Sequence, residues 1–359
     1  MATFNHFQHQ RNQNYIIRTR NILQTLPSFC SSFFASIEHT TTALTRYAYA
    51  IDLRTFFQYV RQEHPSFAGR ELTSLTAKDV EQIASDDVER YLSYVSYYLD
   101  EKQSVYENHE RAKLRKLSAI RALFKYLYKK QWIAHNITTL VDSPKLHDKP
   151  IIRLEPNEAA ALLDQIEQGD ALSHRAQGYH KHTQKRDLAI VTLLLGTGIR
   201  VSELVGLDLD DLDFDSGAFR ITRKGGAVVH LYFGDEVAQA LSSYVTLRQQ
   251  TIAQSGHEQA LFLSLQKRRI STRAVQNLVK KYSKSAIPLK NISPHKLRST
   301  YGTMLYQETG DIYLVADVLG HRDVNTTKKH YAAQSDQNRR RAARAFQLRD
   351  PAREQPKGE

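Results

Sequence analysis

Cysteine and long apolar runs are both scarce in this sequence, and each scarcity excludes a class of protein. Cys30 is the single cysteine among 359 residues, so one chain can form neither a disulfide nor a zinc cluster built on cysteines. The longest apolar run, LAIVTLLLG at residues 188–196, is much shorter than the stretch of about 20 residues that spans a membrane as a helix. The opening MATFNHFQHQRNQNY lacks the apolar core of a signal peptide, and we expect a cytoplasmic protein.

The charge of the chain is one-sided. Its 50 Lys and Arg residues exceed its 38 Asp and Glu residues, which gives a net charge of +12 at pH 7. Such an excess indicates a polyanionic partner, either nucleic acid or an acidic membrane surface. The composition, 41% hydrophobic and 25% charged, is typical of a folded chain, and 359 residues predict two domains.

Helical periodicity extends from about residue 36 to residue 140, and residues 1–35 are expected to form an N-terminal extension. The clearest segment is ENHERAKLRKLSAIRALFKYLYKK at residues 107–130, whose apolar side chains share one broad side of a helix. The opposite side carries cations close to two small residues and could approach a sugar-phosphate backbone. These candidate DNA-binding residues are Arg111, Arg115, Lys125 and Lys129. The same pattern also fits a solvated charged face.

Two prolines in VDSPKLHDKPII, at residues 141–152, interrupt the helical pattern and predict an interdomain linker. Beyond the linker, GAFRITRKGGAVVHLYF at residues 217–233 predicts a β-hairpin, because apolar residues alternate on both sides of a KGG turn. The polar and basic residues 170–186 are expected to form a loop. Histidines there lack accompanying carboxylates or cysteines, so we predict no metal ion.

Short motifs with a cation or a tyrosine follow one another in the second half of the chain. They are TGIRVSEL at 197–204, TRKGG at 222–226, HKLRST at 295–300, VLGHRDVNTT at 318–327 and KHYA at 329–332. In this order and at these separations they resemble the motifs of the tyrosine recombinase, or phage integrase, family over about residues 150–345. RKLSAIRALFKYL resembles the family's DNA-clamping domain more loosely. TRKGG is most similar to Xer-type recombinases, with integrases of mobile elements as close alternatives.

The resemblance implies a mainly α fold with a small β-sheet in the C-terminal domain. A helical, SAM-like core-binding domain at 36–140 and an α+β catalytic domain at 153–345 would form a C-shaped clamp, and residues 346–359 would be a disordered tail. The helix after Tyr331 would pack onto a neighbouring subunit of a homotetramer or fold back on its own domain.

The resemblance also implies a catalytic set: Arg200, Lys224, His295, Arg298, His321 and Tyr331, with Glu203 in support. The arginines would bind the phosphate oxygens, because guanidinium donors match their geometry. Tyr331 would attack phosphorus to form a 3′-phosphotyrosyl link, Lys224 would protonate the leaving oxygen, and His295 would transfer a proton near the nucleophile. His321 would donate a hydrogen bond to the phosphate.

The implied activity is site-specific recombination of double-stranded DNA through a Holliday junction, without a metal or another cofactor, by a protein associated with the nucleoid. A non-catalytic DNA-binding protein and a type IB topoisomerase are the alternatives from other classes. Two departures from the family pattern stand out. Ser299 replaces the second histidine of HxLRH, where we expect altered local hydrogen bonding and not inactivity. The spacing of ten residues from His321 to Tyr331 is one residue longer than is common in Xer-type proteins.

Overall fold

The computed structural model describes residues 6–99, 103–147, 151–223, 226–321 and 323–331, without the side chains of a few residues near both ends. The chain divides into two compact units, Met1–Lys149 and Pro150–Glu359. The described residues are mainly helical, with a two-stranded and a three-stranded antiparallel sheet, which confirms the predicted fold class. None of the described helices has the length and apolar character to cross a bilayer. The predicted C-terminal tail at 346–359 and the helix after Tyr331 lie outside the described residues.

The first unit is a helical bundle with one short hairpin. Its elements are α1 (His6–Leu23), α2 (Ser28–Ser36), α3 (Ala43–Glu63), α4 (Ala77–Val80), α5 (Ser85–Tyr94), β1 (Tyr97–Leu99), β2 (Val105–Glu107) and α6 (Glu110–Lys129), with 3-10 turns at Pro65–Phe67, Leu72–Ser74 and Ile137–Thr139. Aromatic side chains such as Phe33, Phe56 and Phe124 are buried in its core. Since α1 and α2 contribute to this core, the helical unit begins earlier in the chain than residue 36.

The second unit carries the predicted hairpin. Its elements are α7 (Pro156–Gln168), α8 (His174–Thr197), α9 (Val201–Leu204), β3 (Leu212–Asp213), β4 (Ala218–Thr222), β5 (Val228–Tyr232), α10 (Asp235–Gln249), α11 (Thr272–Ala286), α12 (Pro294–Thr309), α13 (Ile312–Leu319) and α14 (Val324–Tyr331), with a 3-10 turn at Leu209–Asp211. Strands β4 and β5 pair antiparallel, with Phe219 opposite Leu231, and both side chains are buried. The alternating pattern therefore predicted the hairpin correctly.

The prediction of a loop at residues 170–186 is wrong, because α8 already begins at His174. Most of its polar residues lie on the exposed side of this helix, but His180 is buried in a polar network. His180 Nδ1 shares a hydrogen bond of 3.0 Å with the hydroxyl of Tyr282, which in turn donates to Asp187 at 2.9 Å. Paired in this way, polar side chains can lie in a core at little penalty.

The apolar half of α8 is buried in the second unit and leads into the TGIRVSEL motif. Ile190, Val191, Leu193 and Leu194 are fully buried. The helix ends at Gly198, which adopts the left-handed conformation with φ of 61°. Two residues later the chain reaches Arg200, so the buried helix determines where this arginine enters the site.

Candidate active site and DNA-binding surfaces

The end of α8 packs directly against α12 and α13. A Cβ atom added to Gly198 would lie 2.4 Å from a ring carbon of Tyr301 and 2.9 Å from the Cδ2 atom of Leu319. Glycine is therefore required both by φ and by the space available. Burial raises the pKa of Tyr301, which disfavours its phenolate.

Glu203 orients Arg200 at the start of α9. The Arg200 backbone N–H donates to one Glu203 carboxylate oxygen at 3.0 Å, and Arg200 Nη1 donates to the other at 2.9 Å. The Glu203 side chain is 7% exposed and that of Arg200 is 36% exposed, so the guanidinium keeps access to solvent while its partner is buried. Arg200 Nη2 donates to the carbonyl of Gly320 at 2.9 Å. A buried carboxylate thus directs one arginine towards the end of α13.

Arg298 lies between the ends of α8 and α13. It is 5% exposed, and its Nη1 donates to the carbonyl of Gly198 at 2.6 Å while its Nη2 donates to the carbonyl of Leu319. His295 is exposed one turn earlier on α12. The hydroxyl of Ser299 donates to the carbonyl of His295 at 3.1 Å, so this serine makes its hydrogen bond within its own helix.

Arginines from three separate segments of the chain cap the C-terminal end of α13. The carbonyls of Asp317 and Val318 accept from Arg223 at 3.1 and 2.7 Å, and those of Leu319 and Gly320 accept from Arg298 and Arg200. The last carbonyls of a helix lack partners within it and carry partial negative charge, which attracts cations. The structure therefore gathers guanidinium groups around the turn that precedes His321.

His321 is held from the other side by α14. Its Nδ1 shares a hydrogen bond of 2.7 Å with the hydroxyl of Thr327, which is fully buried. Tyr331 follows Thr327 by four residues in α14, a spacing that puts two positions on the same face of a helix. The side chain of Tyr331 and the whole of Lys224 lie outside the described residues. The structure thus brings Arg200, Arg298 and His321 together, with His295 on the helix that carries Arg298.

The candidate DNA-binding cations of α6 are exposed, and one of them pairs with a buried carboxylate. Arg111, Lys125 and Lys129 are exposed. Arg115 donates to the carboxylate of Asp52, whose other oxygen lies 3.4 Å from the buried Nζ of Lys116. Burial raises the pKa of Asp52 against the opposing effect of both cations. Arg115 therefore stabilises the fold through its ion pair with Asp52, although its side chain remains 45% exposed.

A second polar surface, on α11, was not predicted from the sequence. Buried Val275, Leu278 and Val279 anchor this helix. Its exposed positions repeat every three or four residues and carry side chains that can donate to bases or phosphates: Arg273, Asn277, Lys280 and Lys284. The amphipathic pattern of TRAVQNLVKKYSKSA was the signal that could have identified this surface.

Guanidinium groups and a histidine gathered around one helix end are typical of a site that binds a phosphate group. The profile of the phage integrase family matches residues 153–338. The chain therefore belongs to the phage integrase family of tyrosine recombinases, enzymes that break and rejoin DNA strands.

Known relatives carry Xer names. The tyrosine recombinase XerC of Caldanaerobacter subterraneus subsp. tengcongensis is 33% identical over 287 residues, which cover 78% of this chain and 75% of that protein. XerD of Staphylococcus epidermidis is 30% identical over 227 residues, which cover 63% and 73%. The solved structure of the XerH site-specific recombinase, bound to a palindromic difH substrate after cleavage, is 20% identical. It has a TM-score of 0.65 over 93% of this chain and 88% of that chain, which supports the same fold.

Proposed function

We propose that this protein is an Xer-like site-specific recombinase that resolves chromosome or plasmid dimers on the nucleoid, in the cytoplasm. The names of the XerC and XerD relatives support this role over that of an integrase or excisionase of a mobile element. The net charge of +12 fits a partner that is double-stranded DNA.

The convergence of Arg200, Arg298 and His321 at one end of α13 is the observation that carries the proposal. When a nucleophile attacks a phosphodiester, negative charge builds up on the non-bridging oxygens, and fixed donors stabilise it. We assign Arg200 and Arg298 to these oxygens. The Thr327 hydroxyl engages Nδ1 of His321, and Nε2 is the nitrogen assigned to the phosphate.

Tyr331 is the proposed nucleophile. Its phenolic oxygen forms a bond to phosphorus, the bond from phosphorus to the 5′-oxygen breaks, and the DNA strand ends in a 3′-phosphotyrosyl link. His295 accepts the phenolic proton, and Lys224 donates a proton to the leaving 5′-oxygen. A 5′-hydroxyl from the partner duplex then reverses these steps, so the phosphodiester bond energy is retained and no nucleotide cofactor is consumed.

Recognition of DNA is assigned to both units. The exposed cations of α6 supply phosphate contacts, and the polar surface of α11 supplies donors for base edges. Four copies of the chain bring two sites together and exchange strands through a Holliday junction, with the residues after Tyr331 joining neighbouring subunits.

A nicked substrate tests the chemistry. The target site is first recovered by sequencing chromosomal DNA that co-purifies with the Tyr331→Phe protein. A duplex of that sequence with a nick beside the scissile phosphate loses a short fragment on cleavage and so traps the covalent link. The native protein should accumulate a DNA-linked species that survives denaturation, and Tyr331→Phe should accumulate none.

The matched control is Tyr313→Phe, because Tyr313 lies on α13 and is 72% exposed. This variant should trap DNA as the native protein does. Trapping by Tyr331→Phe would assign the nucleophile to another residue. A native protein that binds the site and never traps it would instead be a non-catalytic DNA-binding protein on the same fold.

A further inference from the structure

Arg223 lies outside the catalytic set and yet donates to two carbonyls at the end of α13. It directly follows strand β4, where its backbone N–H donates to the carbonyl of Ala227 at 2.8 Å across the base of the hairpin turn. Its side chain reaches across to α13, where Nη1 donates to Asp317 and Nη2 to Val318. One residue therefore joins the β4–β5 hairpin to the last turn of α13.

The contact depends on the absence of a side chain at position 320. A Cβ atom added to Gly320 would lie 2.5 Å from both Cζ and Nη1 of Arg223 and 2.7 Å from its Nε. The guanidinium thus lies against the backbone of Gly320, next to His321. Real Cβ atoms do not approach other atoms so closely, so any other residue at position 320 would displace the guanidinium.

The hydrogen bonds of this turn are divided between the arginines. Arg223 takes the carbonyls of Asp317 and Val318, whereas Arg298 takes that of Leu319 and Arg200 that of Gly320. Without Arg223 the carbonyl of Val318 would lose this donor, while that of Asp317 would keep the backbone N–H of Gly320 at 2.8 Å. The negative end of the helix would then attract the remaining cations. Arg200 and Arg298 would then be drawn away from the phosphate that they bind.

Stability alone does not account for this arginine. Its Nε is buried and has no hydrogen-bond acceptor among the described residues. A buried donor without an acceptor destabilises a fold. The side chain is thus better explained by what its two Nη atoms hold in place.

We propose that Arg223 is a positioning residue, which fixes the last turn of α13 so that Arg200, Arg298 and His321 bind one scissile phosphate. The proposal rests on the proposed function above. It predicts a defect in charge stabilisation on the phosphate, and not in DNA binding or in the fold.

Cleavage of two substrates by the full chain under single-turnover conditions tests it. One suicide duplex has a normal scissile phosphodiester, and the other has a methylphosphonate, in which a methyl group replaces one non-bridging oxygen and removes the charge. Arg223→Gln should cleave the phosphodiester about 100-fold more slowly than the native protein, the scale expected for a misplacement of about 1 Å. On the methylphosphonate the same variant should be slower than the native protein by less than about tenfold, because less charge needs to be stabilised in the transition state. DNA affinity should stay within about twofold.

Two further variants separate position from charge. Arg223→Lys keeps the cation and the aliphatic stem, but it cannot donate to two carbonyls with a rigid fork, so it should behave like Arg223→Gln. If Arg223→Gln fails to fold, Arg223→Lys provides the same comparison. Arg220→Gln is the matched control, because Arg220 lies on β4, the strand that Arg223 follows, and pairs with Asp211 at 2.9 Å. It should cleave both substrates at the native rate.

Three results would overturn the proposal. The first is an equal fold-reduction of the cleavage rate of Arg223→Gln on the two substrates. The second is a loss of DNA affinity that parallels the loss of cleavage rate. The third is a native cleavage rate in Arg223→Lys or Arg223→Gln. A failure of the proposed function is distinguishable, since the native protein itself would then trap no DNA.

Discussion

Gly198 offers the sharpest test of how the fold builds the site, because replacing it with alanine combines two separate penalties. The left-handed backbone, with φ of 61°, costs an alanine about 1–2 kcal/mol relative to glycine. The added Cβ would also lie 2.4 Å from the ring of Tyr301 and 2.9 Å from Leu319, and such overpacking costs about 1–3 kcal/mol. Gly198→Ala should therefore lower the free energy of unfolding by about 2–5 kcal/mol.

Gly310→Ala isolates the first penalty. Gly310 ends α12 with φ of 66°, and no atom lies within 4 Å of its added Cβ. The free energies of unfolding of the two variants should differ by about 1–3 kcal/mol. Gly198→Ala should therefore have a Tm about 2–12 °C below that of Gly310→Ala in a unit of this size. Calorimetry of the full chain measures the difference, and hydrogen exchange of the α8 amides assigns the transition to the second unit.

A double variant completes the measurement. Combining Gly198→Ala with Tyr301→Ala removes the closest contact, so the two changes together should cost less than the sum of each alone. Equal destabilisation by Gly198→Ala and Gly310→Ala, or strict additivity with Tyr301→Ala, would refute the steric part of the reasoning.

Four other predictions follow from contacts in the two units. Glu203→Gln should slow cleavage about tenfold to 100-fold with native DNA affinity, because Arg200 loses its orienting charge. Asp52→Ala should destabilise the chain by about 3–5 kcal/mol in urea unfolding, and adding Lys116→Met should recover most of this loss. Lys280→Ala should reduce the salt dependence of DNA affinity by about one unit of slope. A hydrogen bond from Arg70 holds the pKa of Asp79 below its usual range, so the stability advantage over Asp79→Asn should be full at neutral pH and fall as pH drops below about 4.

Local patterns predicted elements whose partners are near in the chain. The hairpin of β4 and β5 follows from alternation around a KGG turn. Arg200, Arg298 and His321 were predicted from motif order. The structure adds that they converge on one turn.

Features that depend on distant partners could not be predicted in this way. The polar first half of α8 resembles a loop in sequence, and the partner of its buried His180 is Tyr282, which lies 102 residues away in the chain. The contact of Arg223 with Val318 spans 95 residues. No local pattern contains such information, since a buried polar residue and a solvated one look alike until the partner is known.

The helix end at the centre of the site explains how several guanidinium groups can be close together before DNA binds. Like charges at such separations repel, and this repulsion would spread the arginines apart in the absence of an anion. The terminal carbonyls of α13 accept hydrogen bonds from all three arginines and supply partial negative charge, and the Glu203 carboxylate adds a full negative charge beside Arg200. These hydrogen bonds hold the three arginines in place in the free protein, so the proposed site would need little rearrangement to bind a phosphate. Preorganisation of this kind is what makes fixed dipoles and cations effective in stabilising a charged transition state.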